Sequence, residues 1–156
     1  MTKEKTHCIE RYTILLVEDD PNDIILIKRA FTKASIANPI HVVEDGEEAI
    51  AYLAGKDPYS NREKYPLPIL ILLDLKLPRK SGHEVLEWLR RQPGMKRLIV
   101  VVLTSSQQAH DINRAYDLGA NSYLVKPVTF YGLLDIVKTL NLYWLIFNER
   151  PEVKDD

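Results

Sequence analysis

Four apolar stretches of this chain end in residues able to do chemistry. Glu18 and Asp19 follow Tyr12–Val17, Asp74 follows Ile69–Leu73, Thr104 follows Leu98–Leu103, and Lys126 follows Ser122–Val125. A carboxylate buried without a partner costs several kcal/mol. Asp74 closes an unbroken apolar run, so it must face either a partner or an opening. Three carboxylates brought together repel one another and raise each other's pKa. A divalent cation relieves that repulsion. Magnesium suits the donors, which are all oxygen, with few ligands from protein and several waters kept. Lys126 adds a positive charge and Thr104 a hydroxyl. With the cation bound the group becomes an anion site, and the natural anion is a phosphoryl group on Asp74 itself, because carboxylates are nucleophiles toward phosphorus. Catalysis there is mostly neutralisation of charge on the transferring oxygens.

Each part has a plainer reading. The acidic run Glu18–Asp20 is compatible with a helix N-terminus complementing its dipole. Asp74 or Thr104 alone could be a cap, and Lys126 alone a solvated charge. Their joint occurrence at four strand ends favours the chemical reading.

A parallel sheet would bring these ends together. Ile69–Leu73 is too short for a helix and fits a strand buried on both faces. Pro78 and Gly82 break the next segment into a loop. Asp20 suits an N-cap with Pro21 in the first turn, and Ile24, Ile27, Phe31 and Ala34 recur at helical spacing. Pro39–Val43 reads as a second strand, and Asp45–Gly46 opens a helix carrying Ala49, Ile50 and Leu53. Residues 55–68, with three prolines, read as a surface insertion. Val85, Leu86 and Leu89 mark a third helix ended by Pro93–Gly94. Ile112, Ala115, Tyr116 and Leu118 mark a fourth, stopped by Gly119. A last helix is predicted over Phe130–Phe147. Five βα units predict a three-layer, doubly wound α/β fold with a parallel sheet, its strand ends converging where strand order reverses.

At 156 residues the chain suits one domain. The expected division is a flexible N-terminus at 1–11, one folded domain at 12–147 and a tail at 148–156. A net charge of −1, with 46% hydrophobic and 28% charged residues, implies no field for nucleic acid or an acidic membrane. One cysteine, Cys8, excludes an internal disulfide framework. The N-terminal residues lack the apolar segment of a signal peptide, and no apolar run is expected to reach membrane-spanning length. A cytoplasmic location is the expectation. His7, His41, His83 and His110 are scattered, which suggests neither a metal cluster nor a histidine relay.

The stretches ILLVEDD, ILLDLKLP, VVLTS and SYLVKP resemble the receiver domains of bacterial two-component response regulators, over roughly residues 12–145. The resemblance implies a flavodoxin-like receiver fold with strand order 2-1-3-4-5. It implies that Asp74 accepts phosphoryl from a histidine kinase. Glu18, Asp19, Asp74 and the backbone carbonyl of Lys76 would hold Mg2+. Thr104 and Lys126 would grip the phosphoryl oxygens, Tyr123 would be the switch aromatic, and Lys126–Pro127 would be a cis bond. EDDPND, the loop before Asp74, LDLKLPRKSG and LYWL look more narrowly like the stand-alone regulators that serve cyanobacterial and other bacterial phytochromes.

In the last helix Phe130, Leu133, Val137, Leu140, Trp144 and Phe147 form a stripe expected to face the sheet. From Leu142 to Phe147 the helix is apolar on every side, which a terminal helix cannot bury in its own domain. Such a patch marks an interaction site, and a second copy is the simplest occupant. The expectation is a homodimer anchored by Tyr143, Trp144 and Phe147, and the resemblance to receiver domains implies a face formed by the fourth helix, fifth strand and fifth helix, roughly residues 107–148. Three other functions compete. An aspartate phosphatase usually places a second aspartate two residues on, where Lys76 stands. A nucleotide-binding protein needs a glycine-rich loop where Glu18-Asp19-Asp20-Pro21 stands. A pseudo-receiver would be expected to have lost Asp74 or Lys126.

Overall fold

The computed structural model describes residues 11–156. Cys8 and all but the last residue of the expected flexible N-terminus lie outside the described residues. The chain alternates β1 (Ile14–Val17), α1 (Pro21–Lys33), β2 (Ile40–Val43), α2 (Gly46–Ala54), β3 (Leu70–Leu73), α3 (Gly82–Arg90), β4 (Val100–Thr104), α4 (Ala109–Asp117), β5 (Ser122–Val125) and α5 (Phe130–Leu140). The strands form one parallel sheet in the order β2-β1-β3-β4-β5, as the five βα units and the resemblance led us to expect.

β1, β3 and β4 are buried from end to end, which is why their sequences are continuous apolar runs rather than alternating ones. Alternation persists in where the side chains go. Leu15, Val17, Ile71 and Leu73 pack with Tyr52, Leu53, Val85, Leu86 and Ala115 of α2, α3 and α4. Ile14, Leu16, Leu70 and Leu72 pack with Ile27, Phe31, Leu133 and Val137 of α1 and α5. The two-residue period thus sorts each strand between two cores.

The helices begin where the sequence marks them. Asp20 accepts from the N–H groups of Asn22 and Asp23, with Pro21 in the first turn. Asp45 caps α2 through the N–H of Glu48. Ser81 and Glu84 close a reciprocal capping box on α3, an arrangement whose N-cap alone contributes about 1 kcal/mol. A Cβ on Gly82 would collide with the carbonyl of Asp74, so glycine lets α3 start hard against the end of β3.

Four expectations need correction. Lys126–Pro127 is trans; the cis bond among the described residues is Asp57–Pro58. An X–Pro amide favours trans by only about 0.5–1 kcal/mol, so the flanking residues do not settle the isomer. Tyr116 was expected on the apolar face of α4 but is 49% exposed, and Ala115 is the buried residue of that helix. Past Leu140 the last helix turns from α to π geometry over Asn141–Phe147. The wider turn shifts the stripe, so Leu145 is buried and Phe147 is 69% exposed. Finally, Phe130–Phe147 is long and apolar enough, by length and composition, to cross a membrane. Here it lies against the sheet with Leu133, Leu134, Val137, Leu140 and Leu145 buried.

The segment after Phe147 folds back across the opposite end of the sheet. The Arg150 guanidinium lies 3.6 Å from the centre of the Tyr12 ring. The Lys154 N–H donates to Gly94 O at 2.9 Å, and Asp155 pairs with Arg62 at 2.5 Å. Arg62 also caps the C-terminus of α2 by donating to the carbonyls of Tyr52 and Leu53. The 55–68 segment is therefore more than a polar surface excursion, since Tyr59 meets the fully buried Tyr52 ring at a tilt and Tyr65 meets it edge-on.

Candidate functional site

Parallel pairing sets the strand ends level. Leu73 is in register with Val17 on one side and Val102 on the other, and Thr104 with Val125. The next residues therefore emerge at one edge. The Asp74 N–H donates to Val17 O at 3.0 Å and the Lys126 N–H to Thr104 O at 2.8 Å, which carries the ladder one step past the strands.

Asp74 is 7% exposed, and both its oxygens are engaged. The Thr104 hydroxyl donates to Oδ1 at 2.8 Å, as does the Lys76 N–H at 3.2 Å. The Lys126 ammonium donates to Oδ2 at 2.8 Å. Lys126 also reaches Glu18 Oε2 at 2.6 Å and Asp23 Oδ2 at 2.8 Å. The other oxygen of Glu18 accepts from the Asp20 N–H at 3.1 Å. Asp19 is exposed, yet one oxygen from each of Glu18, Asp19 and Asp74 can be chosen so that all three lie within 4.8 Å of one another.

The charges are unequal, with four carboxylates against one ammonium. Burial acts to neutralise Lys126, but Asp23, Asp74 and Glu18 more than offset it and hold the ammonium well above the ordinary lysine range. Burial also raises Asp74, but the bonds from Lys126 and Thr104 outweigh it and leave this carboxylate below its usual value. Glu18 goes the other way: burial, reinforced by the charge of Asp74, pushes it up to about 7 despite the bond from Lys126. An anionic pocket with one half-neutralised glutamate is short of positive charge. Its all-oxygen donors fit a hard divalent cation held by Glu18, Asp19 and Asp74.

The structure thus gathers Glu18, Asp19, Asp74, Thr104 and Lys126, as expected from the strand ends. Lys76 contributes its N–H and leaves its side chain exposed. Tyr123 stands apart from this group. Its hydroxyl donates to Ser106 O at 2.9 Å, while the Ser106 hydroxyl donates to Asp111 at 2.5 Å, so Tyr123 ties β5 to the start of α4. Asp23 was missed. The available signal was positional: with Asp20 as N-cap, Asp23 falls in the first turn of α1, next to the strand end.

Fold and site together define a response regulator receiver. Residues 14–138 match the family model for the response regulator receiver domain, and the chain belongs to that family. The probable methanogenesis regulatory protein FilR2 of Methanothrix harundinacea is 39% identical over 140 residues, 90% of this chain and 88% of that protein. The response regulator Rcp1 of Synechocystis sp. is 39% identical over 132 residues, 85% of this chain and 88% of its own. The crystal structure of its Mn2+-bound form superposes with a TM-score of 0.80 at 37% identity, covering 90% of this chain and 99% of that one. The phosphorylated cyanobacterial phytochrome response regulator RcpA superposes with a TM-score of 0.84 at 40% identity, covering 91% of this chain and 99% of that one.

Proposed function

We propose that this chain is a single-domain response regulator that accepts a phosphoryl group on Asp74 from a histidine kinase of the phytochrome photoreceptor type. The observation that carries the reading is the setting of Asp74. It is an ionised carboxylate at a strand end, flanked by the Thr104 hydroxyl and the Lys126 ammonium, with Glu18 and Asp19 beside it. An Asp74 oxygen would bond to phosphorus as the bond from phosphorus to the kinase histidine breaks, the electron pair staying on the imidazole. Thr104, now donating to Asp74 Oδ1, would transfer its hydrogen bond to a phosphoryl oxygen, and Lys126 would donate to another. Glu18, Asp19, Asp74 and the Lys76 carbonyl would hold Mg2+, which when bound neutralises charge on those oxygens. Tyr123 would report the change, since its hydroxyl anchors the start of α4 through Ser106. On this reading the protein is an acceptor rather than an enzyme, works in the cytoplasm and binds neither nucleic acid nor membrane. The RcpA and Rcp1 likenesses support the phytochrome pairing.

The first test adds acetyl phosphate, or beryllofluoride, together with Mg2+. With acetyl phosphate, intact mass should gain one phosphoryl group, and with either reagent the fluorescence of Trp88 and Trp144 should change. A wild-type chain that gains no mass from acetyl phosphate under Mg2+ would overturn the reading.

The same reading includes a homodimer through roughly residues 107–148. Leu142, Tyr143 and Phe147 are 50%, 58% and 69% exposed, and the Trp144 ring meets Tyr143 edge-on at 4.7 Å. Trp144 itself packs partly on the α1–α5 core. The variant that reads the surface alone is therefore Tyr143→Ala/Phe147→Ala. Aromatic anchors contribute about 2 kcal/mol each, and a two-fold dimer of the variant lacks four of them, so dimerisation should weaken by well over about a thousandfold. Light scattering at micromolar concentration should give a dimer mass for the wild type and a monomer mass for the variant. A monomeric wild type, or a variant still fully dimeric, would reject the interface.

A further inference from the structure

Asp23 has no role in the chemistry described so far, yet it holds the residue on which that chemistry depends. An ammonium group has three hydrogens. Lys126 uses its three on Glu18 Oε2 at 2.6 Å, Asp23 Oδ2 at 2.8 Å and Asp74 Oδ2 at 2.8 Å. None remains for a phosphoryl oxygen, so one bond must be released when Asp74 is modified.

The three bonds are not equally easy to break. The Glu18 side chain is 2% exposed and its pair with Lys126 is the shortest of the three at 2.6 Å, so water cannot readily take the place of Lys126 there. Asp74 keeps its second oxygen, Oδ2, as an acceptor for Lys126 when the other is esterified, and its side chain is 8% exposed. The Asp23 side chain is 31% exposed. It lies in the first turn of α1, where the helix dipole stabilises a carboxylate without help. Beside it is a small cavity of about 80 Å3, lined by Asp23, Lys126, Pro127, Val128, Thr129 and Phe130 among others. At about 30 Å3 per water, that is room for solvent to take over the carboxylate.

We propose that Asp23 is a positioning residue: it holds the Lys126 ammonium in the resting site and is the partner that lets go when Asp74 takes the phosphoryl group. Its grip therefore opposes the approach of Lys126 to the transferring oxygens and slows phosphorylation. This rests on Asp74 being the acceptor, and the experiment separates the two.

Labelling rates from acetyl phosphate, at saturating Mg2+ and without a kinase, are measured for the wild type, Asp23→Asn and Asp23→Glu, each with Lys126 intact and with Lys126→Ala. Asp23→Asn should label about three- to fivefold faster, the scale of a part-exposed ion pair. Asp23→Glu should return the rate toward wild type, and Asp23→Asn should change nothing in the Lys126→Ala background. An unchanged or slower rate in Asp23→Asn, or the same acceleration without Lys126, overturns the proposal. The Lys126 ammonium protons, followed by NMR without any phosphodonor, provide the independent measurement. Their exchange with water should quicken in Asp23→Asn and slow again in Asp23→Glu, whereas exchange indifferent to Asp23 overturns the proposal. If the wild type takes no phosphoryl group while this signal responds as expected, the acceptor assignment fails and the hold on Lys126 stands.

Discussion

Asp74→Asn is expected to take no phosphoryl group, from acetyl phosphate or from a kinase, at any Mg2+ concentration, while remaining folded. Asparagine keeps the shape and the carbonyl oxygen that accepts from Thr104 and from the Lys76 N–H. It lacks the ionised oxygen that, on the proposed reading, attacks phosphorus. The fold should survive because Lys126 keeps two of its three carboxylate partners, Glu18 and Asp23. Glu18 also loses the neighbouring charge that helps raise its pKa, which eases the crowding of like charges. Intact-mass measurement after long incubation reads the loss of labelling, and circular dichroism reads the fold. Asp19 and Asp20 are exposed acids next to Glu18 in the chain, so they are where misassigned chemistry would appear. Stoichiometric label on either of them in Asp74→Asn would remove Asp74 from the mechanism.

The parts legible in the sequence are those fixed by local rules. Apolar runs buried on both faces marked the strands, and Asp20, Pro21 and Asp45 marked the helix starts. The polar residue closing each strand then had to lie at one sheet edge, because parallel pairing brings C-terminal ends together. That logic reached Glu18, Asp19, Asp74, Thr104 and Lys126. It could not reach Asp23, whose role depends on how far a lysine from the end of β5 extends toward α1, across more than a hundred residues of chain. The same holds for Arg62 and Asp155, whose pairing joins two polar segments with no shared pattern. Leu145 was lost for a different reason. The π turn after Leu140 changes the helical period, and a stripe drawn at 3.6 residues per turn assigns Trp144 and Phe147 to the face that Leu145 occupies.

The site is also built on imbalance, which is the reason the proposed function gives it a metal ion. Lys126 is shared among three carboxylates and cannot neutralise them all, so burial pushes one of them, Glu18, up to about 7. Asp19 stands in solvent and can contribute charge without having been desolvated. A cation entering here therefore meets one ready ligand, one ionised acceptor, and one glutamate that must first lose a proton.

Mg2+ affinity should consequently rise with pH up to about 7 and then level. Below that value a proton on Glu18 competes with the cation, and with one linked proton the apparent affinity falls about tenfold per pH unit. Between pH 7 and pH 5 the loss should be about fiftyfold, because Glu18 is already half protonated at pH 7. The metal-free protein should respond with the opposite sign. Glu18 has a folded-state pKa above its unfolded value, so it favours the fold at low pH, and that contribution is lost as pH rises from about 4.5 through about 7. Asp74, held below its usual value, adds stability at neutral pH that is lost only as pH falls through its folded value. Glu18→Gln separates these effects. It should bind Mg2+ more weakly than wild type at pH 8, show a much flatter affinity profile between pH 5 and 7, and unfold at higher urea than wild type when metal is absent at pH 8. Asp19→Ala should lower affinity at every pH and keep the wild-type slope, because the competing proton is still present. Mg2+ titrations followed by calorimetry in two buffers of different ionisation enthalpy would count the proton directly. A wild-type profile that is flat from pH 5 to 7, with no proton released, would remove Glu18 from the metal site.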